Sequence, residues 1–234
     1  MAPLLLLVVL LLSHIPASAP TLLPGDPKAG AISSSSKSLG SGPSASAPPK
    51  DSGDSKQKAL EQEKKRQEQK ELEAESKVYA KEHRLVSPTN GTGSYKGMSR
   101  EFVEGHNAVR ARYGVPPVKW EKKLARHARR WCNTMRKDCT LKHSVTRYGE
   151  SIFQSQGNWN ATAKDAVAWW GREEAIYDKA TGNCTAGHTF KECGHFALMV
   201  GKRYQRIGCG RAECYRGGVF MSCNYFTYDL PEVN

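Results

Sequence analysis

Four side chains of types suited to acid–base or metal chemistry stand where apolar core residues are expected. His195 follows Cys193-Gly194 and heads the run Phe196-Ala197-Leu198-Met199-Val200. Glu150 follows Gly149 and precedes Ser151-Ile152-Phe153. His106 lies four residues after Phe102 and three before Val109, on the apolar face of a helix-period segment. Glu173 continues the series Ala166, Val167, Trp170 and is followed in the same register by Tyr177. Charged groups are rarely fully buried unless paired. Should the four converge, two imidazoles and two carboxylates would satisfy one another or hold a divalent cation. Zinc accepts both ligand types at about 2.0–2.2 Å. The competing reading for each histidine is a hydrogen-bonded core residue, and spacing alone does not decide between them.

The elements that must position these groups can be read from the same segments. Ser99 is a candidate N-cap for a helix with Phe102, Val109 and Tyr113 on its inner face, ended by Gly114 and Pro116-Pro117. A second helix follows Trp120, with Leu124, Ala128, Trp131 and Met135 as its stripe and Cys132 at the stripe's edge. A third starts near Thr162, with Asp165 in the capping-box position, and runs through Glu173 to Tyr177. Strands are expected in YGESIFQSQ, HFALMV, QRIGCG and GGVFMSCNYF, which puts Glu150 and His195 at strand starts. Helices first and strands mostly after predict an α+β domain whose helices cover an antiparallel sheet.

The remaining chain sets the context. Of 234 residues, 1–19 read as a signal peptide: the apolar run Leu4–Leu12 is too short to span a bilayer and precedes Ala17-Ser18-Ala19. Residues 20–55, rich in Ser, Pro, Gly and Ala, are expected to be disordered. Residues 56–95 form a charged, helix-prone linker without an apolar stripe, and Lys64-Lys65-Arg66 makes it a candidate pro-segment. Residues 96–234 form the folded domain. No later segment is a candidate transmembrane anchor, so the expected location is extracellular.

All seven cysteines lie in this domain, as in an oxidised, disulfide-stapled fold with one thiol left over. Asn90, Asn160 and Asn183 head N-x-S/T sequons and are glycosylation candidates. The net charge is +12. In a secreted chain that favours anionic cell-surface or cell-wall polymers as partners, and no nucleic-acid module is present.

The blocks HNAVRARYGVPPVKW, YGESIF, WWGREEAIYDKATGNC, CGHFALMVGKRYQRIGCGRAEC and FMSCNY, in this order over about residues 97–228, resemble the signature blocks of the CAP superfamily. That group comprises cysteine-rich secretory proteins, insect venom antigen 5 and plant pathogenesis-related group 1 proteins. The likeness is closest to the plant group, in which the W-x-x-E glutamate precedes a cysteine by eleven residues, as Glu173 precedes Cys184. The resemblance implies an α-β-α sandwich in which His106, Glu150, Glu173 and His195 form a tetrad in a central cleft, with His106 and His195 binding zinc or another divalent ion. It also implies disulfides Cys139–Cys214, Cys184–Cys193 and Cys209–Cys223, with Cys132 free. Where the plant proteins read Tyr-Thr-Gln-Val-Val-Trp after the tetrad histidine, this chain has Phe196 to Gly201, a less polar run.

Two functions follow from the resemblance. One is a non-enzymatic secreted protein that binds a sterol or other lipid and acts in defence or host–microbe contact, with an apolar groove lined by Phe196–Val200, Trp169, Trp170 and Tyr177 and a lipid entry at loop 175–190. The alternative is a metal-dependent extracellular hydrolase using the His/Glu tetrad. No H-E-x-x-H helix or G-x-S-x-G elbow is present, and Ser144 beside His143 is too common a pairing to mark a nucleophile and base.

Overall fold

The structure, a computed structural model, describes residues 53–226. The expected signal peptide and nearly all of the expected disordered segment lie outside the described residues.

The charged segment forms one helix, α1 (Gly53–Glu82). Its surface is laced with ion pairs such as Lys58–Asp54 and Lys65–Glu61, as expected of a helix with no apolar stripe. It touches the domain through Glu68 on Lys137 and Gln69 on Tyr215, and Ala80 near its end packs on the core.

Helix α2 (Met98–Arg112) starts two residues earlier than expected. Gly97, at φ 91°, turns the chain into it, and Ser99 lies inside the helix. In α3 (Lys122–Thr134) the Glu121 carboxylate caps the start by accepting from the Lys123 amide. Cys132 is fully buried, and Trp131 sits at the partly exposed rim with its indole donating to the Lys142 carbonyl. The stripe is therefore rotated from the expected one: Cys132 takes the central place given to Trp131.

The Thr162–Asp165 capping box opens α4 (Ala163–Gly171) as expected, but the α-helix stops at Gly171. A 3₁₀ turn, Arg172–Ile176, replaces its last part and carries Glu173. The largest correction concerns HFALMV, which is not a strand. Residues Phe190–Val200 form helix α5, opened by a second capping box between Thr189 and Glu192. His195 thus lies in mid-helix. Six of the eight residues from Cys193 to Val200 are buried and His195 and Ala197 are partly so, and neither helical nor strand periodicity shows in the run.

The main sheet runs β1-β5-β6-β2, made of β1 (Lys119–Trp120), β2 (Gly149–Ser155), β5 (Arg206–Glu213) and β6 (Val219–Phe226). The three long strands are antiparallel, and the two-residue β1 pairs parallel with β5. β3 (Tyr177–Asp178) and β4 (Asn183–Cys184) form a small separate hairpin.

Helix α3 covers one face of the sheet, with Cys132, Met135, Ile152, Ala212 and Phe220 in the contact. Helices α2, α4 and α5 cover the other, around Phe102, Trp170, Phe196, Met199, Ile207, Met221 and Tyr225. This is the expected α-β-α sandwich. On the α3 side, a Cβ at Gly208 would lie 2.2 Å from the Ala125 nitrogen, and one at Gly210 would lie 2.5 Å from the Arg129 nitrogen. Only glycine lets the helix backbone rest this close to β5.

The disulfides are Cys139–Cys214, Cys184–Cys193 and Cys209–Cys223, and Cys132 is free and buried. Each bridge contributes about 2–4 kcal/mol in a small domain. The sequon asparagines Asn90, Asn160 and Asn183 are all exposed.

Candidate functional site

The 3₁₀ turn after α4 brings Glu173 against the middle of α5. One carboxylate oxygen lies 2.5 Å from His195 Nδ1, and the other accepts the Phe196 amide at 3.0 Å. Both side chains are largely but not wholly covered, His195 at 24% and Glu173 at 17% exposure. Trp170 stacks on the His195 ring at 6.2 Å and 25° and donates its indole hydrogen to the Ile152 carbonyl. A carboxylate on Nδ1 fixes that nitrogen as the donor and leaves Nε2 to meet solvent or a ligand. This half of the expected tetrad is a close pair.

Glu150 is buried in a different set of partners. Its carboxylate accepts from Ser144 N at 2.8 Å, Ser144 Oγ at 2.7 Å and Ser222 Oγ at 3.0 Å, and lies 2.9 Å from His143 Nδ1. Four donors saturate its acceptor sites. His143 is therefore the histidine that meets Glu150. From the sequence, its pairing with Ser144 is too common to mark it, and its polar segment has no apolar face on which a histidine would stand out. Its one signal is its position seven residues before Glu150, across a short loop that can fold back. Behind Glu150, Ser144 Oγ is 3.3 Å from His127 Nε2.

His106 joins neither pair. It is fully buried, donates from Nδ1 to the Phe102 carbonyl at 2.7 Å and accepts at Nε2 from the Tyr225 hydroxyl at 2.8 Å. Burial pushes its pKa down to about 4 and pushes the Tyr225 phenol up. The ring is thus neutral, with no lone pair left for a metal. As they stand, the two histidines of the expected metal pair have separate partners, Tyr225 for His106 and Glu173 for His195. Among the described residues, no group of three or more His, Cys, Asp or Glu is arranged to hold a metal ion.

A cleft of about 570 Å³ opens beside the C-terminal half of α5, against the β3–β4 hairpin. Tyr113, Tyr177, Phe190, Leu198, Val200 and Tyr204 give it apolar and aromatic walls. Lys179 and Arg203 stand on its rim, with the Lys179 ammonium 5.1 Å over the Tyr113 ring and the Arg203 guanidinium 4.9 Å over Tyr204. The Cys184–Cys193 bridge ties the hairpin to α5. Tyr177, at the end of the 3₁₀ turn, packs its ring 5.2 Å from Phe196. The expected groove residues separate here: Ala197, Leu198, Val200 and Tyr177 line the cleft, Phe196, Met199 and Trp170 are core, and Trp169 faces outward under Arg172.

Comparison with known proteins gives these features a family. The Cysteine-rich secretory protein family (CAP) matches residues 103–225. Pathogenesis-related protein 1A of Nicotiana tabacum is 35% identical over 126 residues, 54% of this chain and 73% of that protein. Pathogenesis-related protein 1 of Arabidopsis thaliana is 36% identical over 141 residues, 60% of this chain and 81% of that protein. Among solved structures, venom allergen-like protein 4 of Schistosoma mansoni aligns with a TM-score of 0.43 at 22% identity, over 58% of this chain and 92% of that one. The chain belongs to the CAP family and is similar to its plant pathogenesis-related branch.

Proposed function

We propose that this is a secreted, non-enzymatic CAP protein that binds a sterol or other lipid outside the cell, in a defence or host–microbe setting. The observation that carries the reading is the cleft beside α5: aromatic and aliphatic side chains line it together with polar and cationic ones, its volume suits a small ligand, and a disulfide ties the hairpin on one side of it to α5 on the other. The cationic rim at Lys179, Lys202 and Arg203 suits a ligand with an apolar body and a polar or anionic head. Relatedness to pathogenesis-related proteins supports the defence setting. The N-terminal Leu run and the three disulfides support secretion. Among the described residues no helix is long and apolar enough to cross a membrane.

The hydrolase alternative is the weaker reading because two of its four acid–base groups are already committed. Glu150 is saturated by four donors, and His106 is sealed between Phe102 and Tyr225.

The test is titration of the purified protein with a fluorescent sterol and a fluorescent fatty acid. It is run on the native chain, on Ala197→Trp, which fills the cleft, and on His195→Ala. Saturable binding that Ala197→Trp weakens at least about tenfold and that survives His195→Ala is expected. Binding that is absent, or untouched by Ala197→Trp, overturns the proposal.

A further inference from the structure

We propose that the outer face of α3 and the groove beside it bind a linear acidic polysaccharide. Between Lys119 and Lys137 the chain carries eight Lys or Arg against one Glu, a density that the chain's overall excess of +12 does not require of any one segment. Lys122, Lys123, Arg126, Arg129 and Arg130 are all exposed. Among the described residues none of the five forms an ion pair, whereas α1 and α2 pair some of their charges. Such a one-sign surface repels itself and is relieved by a bound polyanion.

The cations are also ordered. Lys122, Arg126 and Arg129 follow one another at four and three residues, a single stripe about 10 Å long on the helix surface. All three line a groove of about 410 Å³ beside Trp120, Met98 and Ser99, and no acidic side chain lines it. The groove exists because Gly208 and Gly210 let α3 rest directly on β5, so that the stripe overhangs the start of α2. Arginine forks pair with carboxylate or sulfate in two-point contacts. Trp120, half-buried at the groove, offers a flat apolar face on which a sugar ring can lie.

A membrane surface is the poorer occupant. A helix that lies on lipid turns its apolar face to the bilayer, whereas the apolar face of α3, with Leu124, Ala128 and Cys132, is buried under the sheet. None of the exposed large hydrophobic residues lies on α3.

The experiment measures binding of the purified chain to polygalacturonate, with phosphatidylserine vesicles, an oligodeoxythymidine and neutral dextran alongside, at low and physiological salt. The variant is Lys122→Gln/Arg126→Gln/Arg129→Gln. The control is Lys70→Gln/Lys164→Gln/Lys191→Gln, three exposed lysines away from the groove with the same change in charge. Binding to polygalacturonate that exceeds binding to vesicles and oligonucleotide is expected. The groove variant should lose about tenfold in affinity and the control less than about twofold, with unchanged melting temperatures. Equal losses in variant and control, or binding to vesicles or oligonucleotide as tight as to polygalacturonate, overturn the proposal.

Discussion

His106 provides the sharpest test of how the interior of this domain is built. Its ring is neutral when folded, with a pKa held near 4 by burial, whereas an unfolded histidine titrates near 6.5. The unfolded chain therefore binds a proton that the folded chain refuses. The stability that this neutral ring contributes is fully present above about pH 6.5 and is lost as the pH falls toward 4. The linkage relation gives a loss of about 1.4 kcal/mol by pH 5.5 and about 3 kcal/mol by pH 4 from this one group. The upper part of that range is the useful one, because most carboxylates remain ionised there.

The perturbation is His106→Phe, which keeps an aromatic ring against Trp170 and Tyr225 and removes the titration. Urea unfolding with disulfides intact, followed by tryptophan fluorescence, gives the stability of both chains at about pH 7.5 and 5.5. The variant starts lower at the higher pH, because the buried Tyr225 hydroxyl loses its partner, a cost of about 1–3 kcal/mol. On acidification the native chain should lose about 1.4 kcal/mol more than the variant, which closes the gap between them. All other histidines and carboxylates titrate in both and cancel. Parallel pH profiles would refute the reasoning. So would a zinc-dependent rise in stability that disappears with His106, since the ring would then have a lone pair to give.

Two further outcomes follow from buried groups. Arg110 is 1% exposed and donates to the carbonyls of Pro116, Met199, Gly201 and Tyr204, tying the end of α2 to the wall of the cleft. Arg110→Met should cost about 3 kcal/mol or more in urea unfolding, and a loss below about 1 kcal/mol would show that these carbonyls find other partners. The Cys132 thiol is fully buried, and burial pushes its pKa far above the ordinary cysteine range. A thiol reagent in mildly alkaline buffer should label it only after denaturation, and labelling of the folded protein at the rate of a small free thiol would contradict its placement.

The parts of this fold that could be read from the sequence are those where one physical signal acts alone. The capping box at Thr162–Asp165, the glycine-bounded strands around Glu150 and Met221, and the polar surface of α1 each follow from local chemistry. Errors arose where two signals competed. In Phe196–Val200 the apolar residues run without a gap because α5 is packed between the 3₁₀ turn, the sheet and α2, so burial erased the helical period. The Thr189–Glu192 capping box carried the missing information six residues before His195. Rotation of α3 was hidden for a related reason. Trp131 is large and apolar yet has an indole to satisfy, so it settles at the rim, and the small Cys132 fills the tight contact with the sheet. The candidate site divides the same way. Glu173 and His195 were found by their anomalous polarity on apolar faces, while His143 lies on an exposed loop where a histidine is unremarkable.

The placement of His195 in a helix changes what its pairing with Glu173 can accomplish. In a strand, alternate residues would face the same way, and His195 would project beside Ala197 and Met199. In α5 the Glu173 carboxylate instead grips the helix at two adjacent points, the His195 ring and the Phe196 amide, and so fixes its rotation. That rotation directs Ala197, Leu198 and Val200 to the cleft. The same 3₁₀ turn that presents Glu173 ends at Tyr177, which packs on Phe196 and forms the cleft's opposite wall. One short turn therefore sets both sides of the cavity, and the bond from the Phe196 amide to the Glu173 carboxylate, which does not depend on the imidazole, is the pin between them. By geometry, Glu173 and His195 fix the rotation of the helix that lines the cleft.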